Sequence, residues 1–314
     1  MMEVFFSNVW IAARQVLILY IMVAIGFLCD KTKLFTEKTA RLTNNLLFYV
    51  ITTAVIVKSF ATTPFTPETA KQLLIASLCA VGTHVLGIVL TLPLYRKGKT
   101  AHDVVYKYAC IYGNFGYMAL PLAQALLGDE GVLYCSMGVL VFQVFCFTHG
   151  ISMMNRSEEK TKFSIKKILL NPGIIGVLLG LPFFAFGIQM PEFVLEPVSA
   201  VASMNTPLAM ILLGTYMSNC GLKGLLSDKN NYFVTLVKNI IIPMIMLAVL
   251  KGTGIVTGTL LVSTLIQASA PSANNTVMFS AMYGHDTGVA TKTVTFSTFA
   301  SVLTMPCIIA LAQL

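Results

Sequence analysis

Charge is scarce in this sequence: Asp, Glu, Lys and Arg make up 11% of its residues, against roughly a quarter in a soluble globular domain. That shortage excludes a fold with an ordinary water-facing surface. Acidic residues are the rarer sign, 13 against 21 basic, and none lies near the centre of an apolar run. A carboxylate relay for protons, or a strong carboxylate site for sodium, is therefore disfavoured. Cysteines at metal-ligand spacing are missing too. Cys29, Cys79, Cys110, Cys135, Cys146, Cys220 and Cys307 are dispersed, with no CxxC and no Cys/His cluster, and read as apolar packing residues. There is no HExxH, no GxSxG, no phosphate-cradling loop and no pair of aspartates inside an apolar run. Neither an enzyme nor a bound metal or cofactor is expected.

What the chain has in abundance is apolar length. Hydrophobic residues make up 56% and mean hydropathy is +0.79. Apolar runs divide it into ten candidate spans of a hydrocarbon core, at about 8–29, 42–60, 70–95, 104–127, 132–154, 168–187, 193–218, 232–251, 254–283 and 288–313. The fold class implied is an all-α polytopic membrane protein, one membrane domain over 1–314. The first run lacks a basic flank and a small-residue cleavage site, so it reads as a span rather than a removable signal.

The formal charge of +8 does not point to nucleic acid, because the basic residues sit between apolar runs rather than on one face. If the spans alternate, all but Arg14, Lys58, Lys71 and Lys251 of the 21 basic residues fall on the side of the odd-numbered loops. Lys238 is counted with that majority, as a span-end residue. The positive-inside rule then puts those loops in the cytoplasm and both termini outside. The polar stretch NRSEEKTKFSIKK, residues 155–167, reads as a cytoplasmic linker between halves 1–154 and 168–314. Five spans per half means that similar halves insert in opposite orientation, an inverted repeat.

The fourth span of each half is interrupted. The first break reads GNFGYMALP, Gly113 to Pro121, and the second ASAPSANN, Ala268 to Asn275 with Pro271 and Ser272 at its centre. Proline removes a backbone donor and clashes with the preceding turn, and the freed backbone groups need protein or water inside a bilayer. Two breaks at matching places point to a water-accessible cavity. The N-terminal end of each resumed helix carries free N–H groups that favour an anion, so an organic carboxylate is the expected guest. Asn114, Asn274 and Asn275 supply amides that can bind a carboxylate or a cation, Ser272 is a further candidate substrate contact in the second break, and Gln143 in LVFQVF could face the same space or make only an interhelical bond. Single breaks often mean only kinks. His84 and His149 read as satisfied buried imidazoles, Arg14 as a snorkelling side chain, and Asp129-Glu130 and His285-Asp286 as polar caps. Asn171-Pro172 reads as the start of the sixth span, while Asn44-Asn45 opening the second and Asn205-Thr206-Pro207 interrupting the seventh put polar groups at corresponding elements of the halves, to line the crossover or merely to kink and cap.

At these residues the chain resembles the auxin efflux carrier family, whose bacterial members are organic-anion permeases and whose plant members export auxin. The likeness rests on Gly113-Asn114 followed by Pro121-Leu122 and Gly128, on Asn171-Pro172 with GVLLGLP, on Pro207-Leu208 before Leu213-Gly214, and on Ala270-Pro271 leading to Tyr283-Gly284. It implies helices 4 and 9 crossing at their breaks, a scaffold of helices 1, 2, 6 and 7 beside a mobile unit of the other six, and a homodimer. It further implies Asn114 and Gly113 as substrate contacts with Gln143 as polar support, Pro121 and Pro271 as crossover hinges, and a bacterial inner membrane location. The chain departs from the pattern at Thr52-Thr53, where many relatives carry proline, and at Thr276, where plant members carry a second crossover proline. The expectation is a secondary carrier of mono- or dicarboxylates working by an elevator movement, with sodium or proton coupling left open. A sodium-coupled symporter of the bile-acid type and a ligand-binding receptor that does not transport are the alternatives.

Overall fold

The computed structural model describes residues 2–95, 102–155, 170, 172–218 and 225–314. The 155–167 linker lies outside the described residues apart from Asn155, as do Asn171 and the basic loop residues Arg96, Lys97, Lys99 and Lys223. Regular structure among the described residues is helical, with one isolated antiparallel bridge. α1 is Met2–Lys31, and α2 (Glu37–Leu46) passes through a π-helical turn, Leu47–Thr52, into α3 (Thr53–Thr62). α4 (Pro67–Leu94) starts on Thr66, whose hydroxyl accepts the Thr69 N–H at 3.0 Å, with Pro67 where no amide partner is needed. α5 (Asp103–Ile111) ends at the first break, and a π turn, Phe115–Ala119, leads into α6 (Leu120–Phe145). A third π turn, Cys146–Gly150, joins α6 to α7 (Ile151–Met154).

In the second half α8 is Pro172–Phe186, α9 Glu192–Ser203 and α10 Asn205–Ser218. α11 (Lys229–Thr235) runs through a π turn, Leu236–Ile241, into α12 (Ile242–Thr253), which Gly254 closes in the left-handed conformation. α13 (Gly258–Ser269) and α14 (Asn275–Met282) flank the second break, and α15 (Thr287–Ala312) starts on Asp286.

Six helical stretches among the described residues are long and apolar enough to cross a membrane, and α8 and α13 are shorter apolar helices. The helices are built inside out relative to a water-soluble bundle. α4 turns Leu74, Leu78, Val85, Val89 and Leu92 outward and buries Thr83, His84 and Thr91. Such a surface suits lipid. Small residues let helices meet closely, as is usual there. A Cβ on Gly214 of α10 would lie 1.9 Å from the Val23 carbonyl oxygen of α1, and one on Gly26 would lie 2.1 Å from the Ile211 oxygen. α3 packs on α8 in the same way, with Gly176 against Ile56 and Gly180 against Phe60.

Contacts between helix ends form two sets. In one, Lys31 Nζ donates to the Ser218 carbonyl (2.8 Å), Tyr106 Oη to Asp228 (2.6 Å), and His285 Nε2 lies 2.7 Å from the Met154 carbonyl. In the other, Lys58 Nζ pairs with Asp129 (3.1 Å), Thr259 Oγ1 donates to Glu130 (3.0 Å) and Lys251 Nζ to the Leu311 carbonyl (2.8 Å).

The fourth and fifth spans divide at Gly128, within α6, where a φ of 64° and ψ of −150° that only glycine adopts readily break the helix between them, as the boundary at 127–132 expects. Two details differ from the sequence reading. Asn44-Asn45 lie inside α2 rather than opening a span, and Lys238 is not at a helix end at all. It sits in the π turn of Leu236–Ile241 and is completely buried.

Candidate functional site

The chain leaves helical geometry at Tyr112–Asn114 and again at Ala270–Ala273, and the two extended pieces lie antiparallel against each other. The Asn114 N–H donates to the Pro271 carbonyl at 2.7 Å, and the Ala273 N–H donates to the Tyr112 carbonyl at 2.9 Å. Each break thus satisfies backbone groups of the other, which is how non-helical backbone survives away from water. Gly113 faces Ser272 across this two-bond ladder.

Pro121 lies beyond its break, in the first turn of α6. Its missing N–H acts upstream: the Leu120 N–H reaches back five residues to the Phe115 carbonyl and the Ala119 N–H reaches Asn114 at 3.2 Å, opening the turn into π geometry. Pro271, by contrast, is within the second break and supplies a ladder carbonyl.

A cavity of about 40 Å³ lies beside the ladder. Gly113, Asn114, Gln143, Asn274 and Asn275 line it, together with Thr52, Gly173 and the rings of Phe115, Tyr117 and Phe142. Asn114 is 3% exposed; its side-chain oxygen accepts the Tyr117 N–H at 3.2 Å, while its Nδ2 has no partner. The Gln143 Oε1 is also buried without a partner. A buried unpaired amide costs about 1–3 kcal/mol, and both unpaired atoms belong to residues that line the cavity. Asn275 Nδ2 lies 3.3 Å from Cys146 Sγ, which anchors it to the π turn after α6. Thr52, the departure from the family pattern, donates to Asn205 Oδ1 at 3.4 Å and so links the cavity wall to the start of α10.

Ser272 is not a cavity residue. Its hydroxyl donates to the Ala109 carbonyl (2.8 Å) and its N–H donates to Ser297 Oγ (3.0 Å), tying the second break to α5 and α15. Ser297 in turn donates to Asn239 Oδ1 (3.0 Å), and Asn239 Nδ2 returns a bond to the Ser297 carbonyl (2.9 Å). Behind the first break, His84 is boxed by Tyr112, Phe115, Phe142 and Phe145, stacked on the last at 5.0 Å. Its Nδ1 lies 2.8 Å from the Ala80 carbonyl, while Nε2 has no partner. His149 Nδ1 lies 2.9 Å from Tyr112 Oη. Asp286 is the cap expected, accepting from Gly288 and Val289, whereas Asp129 reaches across to α3.

The residues that sequence reasoning missed are Lys238, Asn239 and Ser297. Lys238 Nζ donates to the Ala268 carbonyl at 2.8 Å, and a Cβ on Gly113 would come within 3.0 Å of it. Its position, two turns inside an apolar run, was the available signal.

An apolar-faced helical bundle closed around two interlocked breaks defines an integral membrane protein. The chain belongs to the membrane transport protein family, whose model matches residues 11–309, in line with the family likeness of the motifs. Two relatives are an "Uncharacterized transporter" of Methanocaldococcus jannaschii and a "Putative malonate transporter" of Rhizobium meliloti. The first is 23% identical over 218 residues, covering 66% of this chain and 70% of the relative. The second is 23% identical over 278 residues, covering 83% of each. The protein is therefore a membrane transporter.

Proposed function

We propose that this transporter is a secondary carrier of small organic anions, with short dicarboxylates such as malonate as the favoured class. The carrying observation is the Asn114 amide, buried beside the interlocked breaks with an unpartnered donor. A carboxylate placed there would accept from Asn114 Nδ2, beside Asn274 and Asn275 at the start of α14; the Thr276 and Val277 N–H groups are already taken by the Ala273 and Asn274 carbonyls. Gly113 and Gln143 line the same space. The Rhizobium relative's name fits that choice.

Ten spans in two inverted halves, 1–154 and 168–314, remain our reading of the topology. The two sets of helix-end contacts support it, because every pair joins segments that the alternation puts on one side. In this reading α1, α3, α8 and α10 form a scaffold, the broken helices move past it as an elevator, and both termini lie outside the bacterial inner membrane. The protomer works within a homodimer.

Uptake of labelled malonate into proteoliposomes tests this. Asn114→Ala should lower apparent malonate affinity by about tenfold or more while the protein still folds, judged by its elution from a sizing column in detergent. Undiminished uptake by that variant would remove the basis of the proposal. Binding without accumulation by the wild type would make the protein a receptor instead.

A further inference from the structure

Lys238 is the buried charge-bearing residue that the cavity chemistry above does not use. No ion pair joins it to a carboxylate among the described residues. Its Nζ instead lies against the Ala268 carbonyl, one of the last four of α13, which have no intrahelical donor and form the negative end of that helix. On its other side is the Gly113 backbone, and Gly113 lines the cavity. The titratable groups that feel Lys238 are His84, from α4, and Cys110, from α5; neither is a carboxylate.

Two physical consequences follow. A carbonyl end inside a broken helix is where some transporters coordinate sodium. Here the chain brings its own cation to that point. Secondly, a buried ammonium without a countercharge is costly, and an anion in the cavity across Gly113 would supply the missing charge.

We propose that Lys238 is the resident cation of the crossover when substrate is bound: it takes the place of a coupling metal ion at the end of α13 and provides positive charge for an anion beside Asn114. The carrier needs no sodium in consequence. The π turn is what makes this possible, because it sends Lys238 to Ala268 and the adjacent Asn239 to Ser297, so that one element braces both sides of the second break. The inference rests on the anion-carrier reading for its second half, and on the α13 contact alone for its first.

The test compares wild type, Lys238→Gln and Lys238→Arg in sodium chloride and in choline chloride. Malonate binding and uptake are measured, with the melting temperature of the purified protein as a second readout. Gln keeps a donor for the Ala268 carbonyl without the charge; Arg keeps the charge. Wild type should behave alike in both salts, K238Q should lose about tenfold or more in malonate affinity, and K238R should stay within a fewfold of wild type. Sodium stimulation of wild-type uptake, or K238Q affinity equal to wild type, would overturn the proposal. If K238Q fails to fold, K238R decides: retained affinity supports the charge, and a tenfold loss contradicts it. Should wild type not bind malonate at all, that outcome counts against the substrate reading. The resident-cation half is then judged by melting temperature, where stabilisation by sodium over choline refutes it and equal values uphold it.

Discussion

Ser297 shows how much rests on single hydroxyls within this bundle. It accepts the Ser272 N–H and donates to Asn239, and it is completely buried. Ser297→Ala leaves an amide hydrogen and an amide oxygen unpaired, so a loss of about 1–3 kcal/mol is expected, read as a lower thermal midpoint in detergent. Asp286 offers a contrasting case at the exposed start of α15. Hydrogen bonds from the Val289 backbone hold its carboxyl below the ordinary carboxylate value, with Gly288 and nearby His102 and Lys292 adding to the effect. A depressed folded value means that its contribution is complete above the unfolded value and is lost as pH falls through the folded one. Asp286→Ala should therefore lower the midpoint slightly at neutral pH and make no difference in strong acid. A pH series of melts on the two proteins checks the sign.

Helices in this molecule are joined or divided by a few residues whose effect is local and readable. The breaks at Gly113-Asn114 and Ala270-Pro271 were legible because proline, glycine and asparagine interrupt apolar runs that are otherwise uniform. The site of the first break was less so, since Pro121 acts on the turn preceding it and leaves α6 itself intact. Lys238 was harder still. Counted from the edge of an apolar run it resembles a snorkelling end residue, and only the added residue of the π turn aims it inward. Close helix packing was not readable either, because a glycine inside an apolar run says nothing about which helix it meets. Gly214→Leu should force α10 from the α1 backbone. Overpacking of that kind costs about 1–3 kcal/mol, visible as early aggregation on heating.

Across the whole molecule, the contact between α3 and the Gly128 bend links two groups of helices. Lys58 pairs with Asp129 at 3.1 Å, and Ser59 donates to the Asp129 carbonyl at 2.7 Å. The pair is partly exposed and contributes under about 1 kcal/mol to stability. If the broken helices move against α3, Asp129→Ala should change the rate of malonate uptake by severalfold while leaving the melting temperature nearly constant. Equal effects on both would make the contact merely structural. The two-bond ladder between the breaks has a different reach. Its first strand is made when residue 114 enters the membrane, but the partner strand is more than 150 residues further along the chain. During synthesis the ribosome must therefore deliver more than 150 further residues before Tyr112 and Asn114 find their mates. Until then water, lipid head groups or the insertion machinery has to shelter them, so any nascent chain stopped short of Ala273 is a natural substrate for membrane quality control.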